Sequence, residues 1–347
     1  MRTRLIEPVP GLPALIRPGE LLTSAPAAVA RWALAAEPLP GPLLRTGRGT
    51  GRVHRVRLAP DADVIDLTAT LRDRGHAASP NHVLWGQPLF FGGPGGAPSP
   101  APPPPYEPGE PCEVTVAVLD TGLAPHPWLA RWYHADIAET PDADGDGVLD
   151  RQAGHGTFVA GLILRHAPGA RLRALRVLDS DGVSDEAALL GALSVLRGGP
   201  ADVLNLSFGG HTFDDGPPLG LAEALAAFPA VVACAGNTAS ARPFWPAALP
   251  GVVAVGALDG DDRASFSAYG PWVDVWAPGV GLVSSFLEHR DFHGYASWSG
   301  TSFAAAAVSG AVARLCREVP PDQAVRRLLR DGRRAGDLGV VVMTGDR

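Results

Sequence analysis

Lysine is absent from this 347-residue chain: all 29 basic side chains are arginine, set against 36 acids for a net charge of −7. Nucleic acid asks for a clustered basic surface, and a modestly acidic chain of this kind gives no support for that class of partner, so none is expected. No apolar run approaches the ~20 residues of a membrane span. The alanine-rich stretch from Phe303 to Val312 is too short, and its small side chains suit close helix packing instead. Met1 to Pro10 is charged and broken by proline, and no apolar run of export-signal length follows before Glu20. The chain as written is therefore expected to be cytoplasmic, away from membranes, with secretion as the alternative. Cysteine is sparse too: Cys112, Cys234 and Cys316 are odd in number and far apart. They suggest neither a disulfide framework nor paired metal ligands.

Against these absences stand 46% hydrophobic and 19% charged residues, enough apolar side chain for a sizeable core. A proline- and glycine-rich run, Gly92 to Pro111, divides the sequence. Proline fixes φ and removes backbone donors, so an extended linker is expected at 91–111, between a small α+β domain at 1–90 and a larger domain at 112–347. In the first, Arg52 to Leu58 alternates like a strand, and Val64 to Arg74 has helical spacing behind Asp61 and Asp63. In the second, short apolar runs (Val114 to Leu119, Val203 to Leu206, Val231 to Cys234, Val252 to Val255) alternate with helical segments such as Phe158 to His166 and Glu186 to Leu196. That alternation predicts an α/β fold with a mostly parallel sheet covered on both faces. Ligands of such sheets bind where the strands end.

Three short motifs fall at such ends. VAVLDTG, Val116 to Gly122, closes an apolar strand on Asp120; GHGTFVAG, Gly154 to Gly161, opens a helix on His155; SGTSFAAAAVSG, Ser299 to Gly310, opens another on Ser302. Singly, each has a plain structural explanation as a turn, a cap or a structural histidine. Together they supply what a serine nucleophile needs: a base to take its proton, and an acid to orient that base.

These motifs resemble the active-site segments of the subtilisin-like serine proteases, the subtilases. So do NLSFGG from Asn205 to Gly210, VACAGN from Val232 to Asn237 and WVDVWAPG from Trp272 to Gly279. The resemblance covers 113–317 and implies a subtilisin-like three-layer sandwich with a small N-terminal α+β propeptide-like domain. It implies a serine endopeptidase with Ser302 as nucleophile, His155 as general base, Asp120 orienting the histidine and Asn237 as oxyanion donor. The substrate, a peptide or protein, would lie extended along Ser207, Phe208 and Gly209, with Ala235 and Gly236 in the pocket wall. The chain departs from the family pattern at Phe303 (usually methionine), Ala306 (proline) and Trp128 (aspartate).

The N-terminal AASPNHV, Ala77 to Val83, is similar to the end of subtilase propeptides. The chain's own N-terminal segment would then act as an intramolecular inhibitor, cut between Trp85 and Pro111, in a monomeric protein. No cofactor is expected for the chemistry. The acidic run DADGDGVLD places Asp142, Asp144, Asp146 and Asp150 at positions 1, 3, 5 and 9 of an EF-hand-like loop, with Ala153 where the bidentate glutamate would stand. A structural calcium ion and a solvated acidic turn are both open for it. Two other functions share the triad or its site: an acyl-transferase or macrocyclase that matures peptides, and a non-catalytic peptide-binding pseudoprotease. The presence of all four catalytic-type residues weighs against the second.

Overall fold

In a computed structural model of the chain, residues 3–46, 49–86, 96–129, 133–134 and 138–342 are described. Part of the expected linker and the end of the expected first domain fall at 87–95, outside the described residues. Two compact units are present, and their limits do not follow the chain. One comprises 1–84, 184–198 and 210–227; the other comprises 85–183, 199–209 and 228–347.

The first unit holds antiparallel strands around Ala14–Thr23, which pairs with Arg4–Ile6, His54–Leu58 and Ala78–Trp85; Ala33–Pro38 extends the sheet beyond His54–Leu58. The helix expected behind Asp63 is Val64–Asp73. The Asp63 carboxylate caps it by accepting from the N–H groups of Ile65 and Asp66. Ile16, Leu21, Val56, Leu67 and Leu71 form its core, and Phe213 joins them from far along the sequence. A buried ion pair and a buried histidine–carboxylate hydrogen bond fasten Glu186–Leu196 at its start: Arg17 Nε donates to Asp185 at 2.8 Å, and His82 Nδ1 lies 2.8 Å from Glu186. Burial pushes the Glu186 carboxyl up, and the His82 ring opposes that shift.

The second unit is built on parallel strands ordered Tyr133–His134, Arg171–Arg176, Thr115–Asp120, Val203–Leu206, Val231–Cys234, Val252–Asp259, Val275–Pro278 and Gly339–Val341. The central strands are buried along their whole length, which explains why they read as unbroken apolar runs rather than alternating ones. Thr115–Asp120 has later strands on both sides, so the winding reverses beside it, and its carboxyl end is where open sheets of this kind hold their ligands. Asp120 is its last residue.

His155–His166 and Thr301–Leu315 pack against one another, and Thr301–Leu315 also packs on the sheet. Small residues make this possible. A Cβ at Gly310 would lie 2.7 Å from the Ile163 carbonyl and 2.6 Å from His166 Cβ, and one at Gly161 would lie 2.2 Å from Ser285 Oγ. The helix continues through Ala306 without interruption, so the missing proline costs it no hydrogen bond.

The described part of the proline-rich run, from 96 onward, is packed rather than free. Ser99–Pro100 pairs with Ala296 and Ser297, and the Tyr106 ring stacks on Trp128 with centroids 4.3 Å apart. This is where the Trp128 departure acts. A buried indole gives the linker an aromatic face to dock on, which an aspartate would not supply. Among the described residues no helix is long and apolar enough to cross a membrane.

Two glycines separate helix propensity from packing. Gly191, mid-helix in Glu186–Leu196, has nothing within 4 Å of an added Cβ, so Gly191→Ala should stabilise by about 0.5–1 kcal/mol. Gly310→Val should destabilise by about 1–3 kcal/mol, because backbone must move to admit it. Thermal unfolding of both variants, made in a Ser302→Ala background, checks the opposite signs.

Candidate active site

Asp120 ends its strand, and His155 opens its helix directly after Gly154, whose φ of +86° is a conformation that favours glycine. The two side chains meet in the interior: His155 Nδ1 lies 2.7 Å from Asp120 Oδ1, with side-chain exposures of 0% and 1%. The carboxylate can only accept, so Nδ1 carries the proton and Nε2 is left as the basic nitrogen. Nε2 has no hydrogen-bond partner. Asp120 Oδ1 also accepts from the Thr121 N–H at 2.8 Å.

Ser302 lies in the first turn of Thr301–Leu315, where backbone N–H groups are unused by the helix. Its hydroxyl donates to the Ser207 carbonyl at 2.9 Å, so in this resting arrangement the proton points away from His155. Ser207 is itself held from behind. Its Oγ lies 2.9 Å from both Asn205 Oδ1 and the Ser302 carbonyl, while Asn205 Nδ2 donates to Ser309 on the Ser302 helix at 3.0 Å.

The orientation of Asn237 follows from its partners. Its Oδ1 accepts from Thr301 N at 2.9 Å and Thr301 Oγ1 at 2.7 Å. That forces Nδ2 to the other side, where it is buried and unpartnered. It lies 3.2 Å from where a Cβ on Gly300 would stand, beside the start of the Ser302 helix. A buried amide donor left unpaired is costly, and an oxyanion forming at Ser302 would be its natural acceptor.

The proposed substrate strand is already engaged. Trp85 N donates to the Gly209 carbonyl at 2.8 Å, Gly209 N donates back to Trp85 at 3.0 Å, and Gly86 N donates to Gly182 O at 2.8 Å. Only glycine fits at 209, where a Cβ would stand 2.3 Å from the Trp245 carbonyl and 2.4 Å from the Phe244 ring. The Trp85 ring meets Phe244 edge-on at 6.3 Å. Ala235, Gly236 and Phe208 are buried, and Gly236 N donates to Thr301 Oγ1 at 3.1 Å.

Phe303 has an evident place. Together with Phe158 and Trp298 it forms an aromatic wall against His155, with ring separations of 4.4 Å to Phe158 and 5.4 Å to the imidazole. Cys234 is a free, buried thiol, pushed up to about 12 by burial, so it carries no thiolate near neutral pH.

In the acidic loop, Asp142, Asp144 and Asp146 bring carboxylate oxygens within 4.8 Å of one another. Asp150 takes a different part, accepting from Ala143 N at 2.8 Å. The backbone N–H of Gly147, with that of Gly145, holds the Asp142 carboxyl below its ordinary range.

Sequence reasoning missed Glu139. Buried, it accepts from Thr121 Oγ1 at 2.5 Å, Gly154 N at 2.7 Å and Thr157 Oγ1 at 2.8 Å. Burial pushes it up to about 7 despite those three donors, with Asp120 adding to the rise. Nothing local marks it, because its partners lie in two motifs on either side. A raised carboxyl favours the fold while protonated: that contribution is complete below the ordinary 4.5 and lost as pH rises through about 7. In a Ser302→Ala background, Glu139→Gln should therefore flatten the loss of stability between those two pH values, measured by denaturant unfolding at each.

Sequence comparison matches residues 112–331 to the Subtilase family. Among curated relatives, the thermostable alkaline protease of Halalkalibacterium halodurans is 35% identical over 59% of this chain and 57% of its own length. The thermophilic serine proteinase of Bacillus sp. (strain AK1) is 39% identical over 58% and 52%. Subtilisin DY of Bacillus licheniformis is 33% identical over 60% and 78%. The chain thus spans little more than half the length of the first two. The crystal structure of a cold adapted subtilisin-like serine proteinase superposes with a TM-score of 0.56 at 25% identity, covering 72% of this chain and 95% of that one. The fold is accordingly the subtilisin-like three-layer α/β sandwich, and the chain belongs to the subtilase family.

Proposed function

We propose that the protein is a serine endopeptidase that hydrolyses peptide bonds through an acyl-enzyme on Ser302. One observation carries this reading. Beside the 2.7 Å contact between His155 and Asp120, two buried polar atoms stand unpaired, His155 Nε2 and Asn237 Nδ2. They are the acceptor and the donor that acyl transfer requires. The Ser302 proton passes to His155 Nε2 as Oγ attacks the carbonyl carbon. Asp120 stabilises the imidazolium, and Asn237 Nδ2 with the Ser302 N–H receives the negative oxygen. The imidazolium then protonates the leaving amine, and water repeats the sequence to free the acid.

The substrate would lie antiparallel to Gly209, along the path that Trp85 and Gly86 now take. Those residues belong to the chain itself, and the triad is inaccessible to solvent. Both facts support an N-terminal segment that occupies the cleft until it is cut, with the cut C-terminal to Gly86. Ser302→Ala should abolish both peptide cleavage and self-processing, and Asn237→Ala should lower kcat by about 10²–10³. Intact-mass analysis of each purified variant, with a fluorophosphonate label on the wild type, checks this. Maturation of Ser302→Ala at the wild-type rate would remove Ser302 from the mechanism. Labelling also separates the enzyme from a pseudoprotease, and product analysis with added amine separates hydrolysis from acyl transfer.

A structural calcium ion belongs to the same proposal, held by Asp142, Asp144 and Asp146. The donor set suits a hard cation, since all three are carboxylates with oxygens clustered on one loop. Bound there, it would cross-link the loop that precedes His155 and take no part in the chemistry. Chelation should lower Tm while leaving turnover per titrated site unchanged, and Asp144→Ala should abolish the calcium-dependent part of Tm in calorimetry.

A further inference from the structure

We propose that Glu139 is a positioning residue for the catalytic pair: one buried carboxylate clamps the turn that carries Asp120 to the helix start that carries His155. The proposal rests on the peptidase reading above.

Three groups meet at this carboxylate in a closed pattern. Oε1 takes Thr121 Oγ1 and Gly154 N, and Oε2 takes Thr157 Oγ1. Each hydroxyl then passes the contact on to the opposite segment. Thr121 Oγ1 accepts from Gly156 N at 3.0 Å, and Thr157 Oγ1 accepts from Ala124 N at 2.9 Å. The backbone of Glu139 is tied to the same turn, because its N–H donates to the Leu123 carbonyl at 3.2 Å and Ala138 bridges to Leu123 in parallel.

His155 sits between Gly154 and Gly156, and both of those N–H groups end in this network. Asp120 precedes Thr121 directly. Its Oδ2 is buried without a partner, so its orientation depends on Oδ1 and on what holds Thr121. The two segments are also in hard contact: a Cβ at Gly156 would stand 2.2 Å from the Gly122 carbonyl. Movement of one segment therefore moves the other.

The helix needs this partner for a second reason. Gly154, its N-cap, has no side chain to satisfy the first N–H groups, and Glu139 supplies an acceptor from elsewhere in the chain. Once ionised, above about pH 7, its negative charge also stands at the positive end of the helix. An amide or apolar side chain would be cheaper to bury. A carboxylate has acceptors only, however, and three donors converge here without one being returned. A misplacement of about 1 Å between reacting groups costs on the order of 10² in rate, which is the tolerance this clamp serves.

The test uses the full chain and a chromogenic peptide anilide, with rates normalised by fluorophosphonate titration so that only folded sites count. Glu139→Gln keeps one acceptor, whereas Glu139→Ala keeps none. The expected order of kcat is wild type, then Gln, then Ala, with a loss of about 10²-fold in Ala and KM unchanged within about two-fold. Values of kcat per titrated site equal to wild type, with only Tm lowered, would overturn the proposal and leave Glu139 a purely structural group. If neither Glu139 variant folds, Thr157→Val removes a single arm of the clamp. A loss of about 10-fold in kcat supports the proposal, and an unchanged kcat overturns it. A wild type that neither cleaves nor labels would instead bring down the peptidase reading itself, a distinct outcome from an active wild type with indifferent variants.

Discussion

The bond from His155 to Asp120 is the constraint on which the arrangement of the site depends. It joins the end of a strand to the start of a helix across 35 residues of chain, in a place where neither side chain meets water. A buried carboxylate without its partner is strongly unfavourable, so the sheet edge and the helix start must arrive together. It also settles chemistry: with Nδ1 committed to Asp120, only Nε2 remains to act as a base.

That requirement is met by closeness more than by added contacts. The Ser302 helix is buried along nearly its whole length, and alanine and glycine let it lie against both the His155 helix and the sheet. Its position is then read out by polar groups, Asn205 to Ser309 and Asn237 to Thr301, which find one another only in a single register. Apolar packing alone would tolerate a slide; hydrogen bonds between buried groups do not, since each displaced donor would be orphaned.

The first unit follows the same logic with charge. Arg17 with Asp185 and His82 with Glu186 are nearly solvent-free pairs, and each joins the N-terminal sheet to the start of Glu186–Leu196. Removing either partner of the first would leave a charge uncompensated in the interior, and removing either partner of the second would orphan a buried polar group. The residues drawn together in this unit come from three separate stretches of chain, although the sequence suggested one continuous domain.

The strands of the larger unit were legible in the sequence because burial on both faces leaves an apolar run with no alternation to confuse it. Val203–Leu206 and Val231–Cys234 coincide with such runs end to end. Asp120, His155, Ser302 and Asn237 were legible because their motifs are local, each fixed by a strand end or a helix start and by small neighbours. What the sequence could not contain was direction in space. That Ser302 rests on Ser207 rather than on the histidine, that Asn237 faces Nδ2 toward Gly300, and that Tyr106 packs onto Trp128 are decided by contacts between distant segments. Glu139 is the clearest case. It lies in no motif, and its three donors come from two others, so only the folded chain, by removing water and bringing those donors to one carboxylate, makes it part of the site.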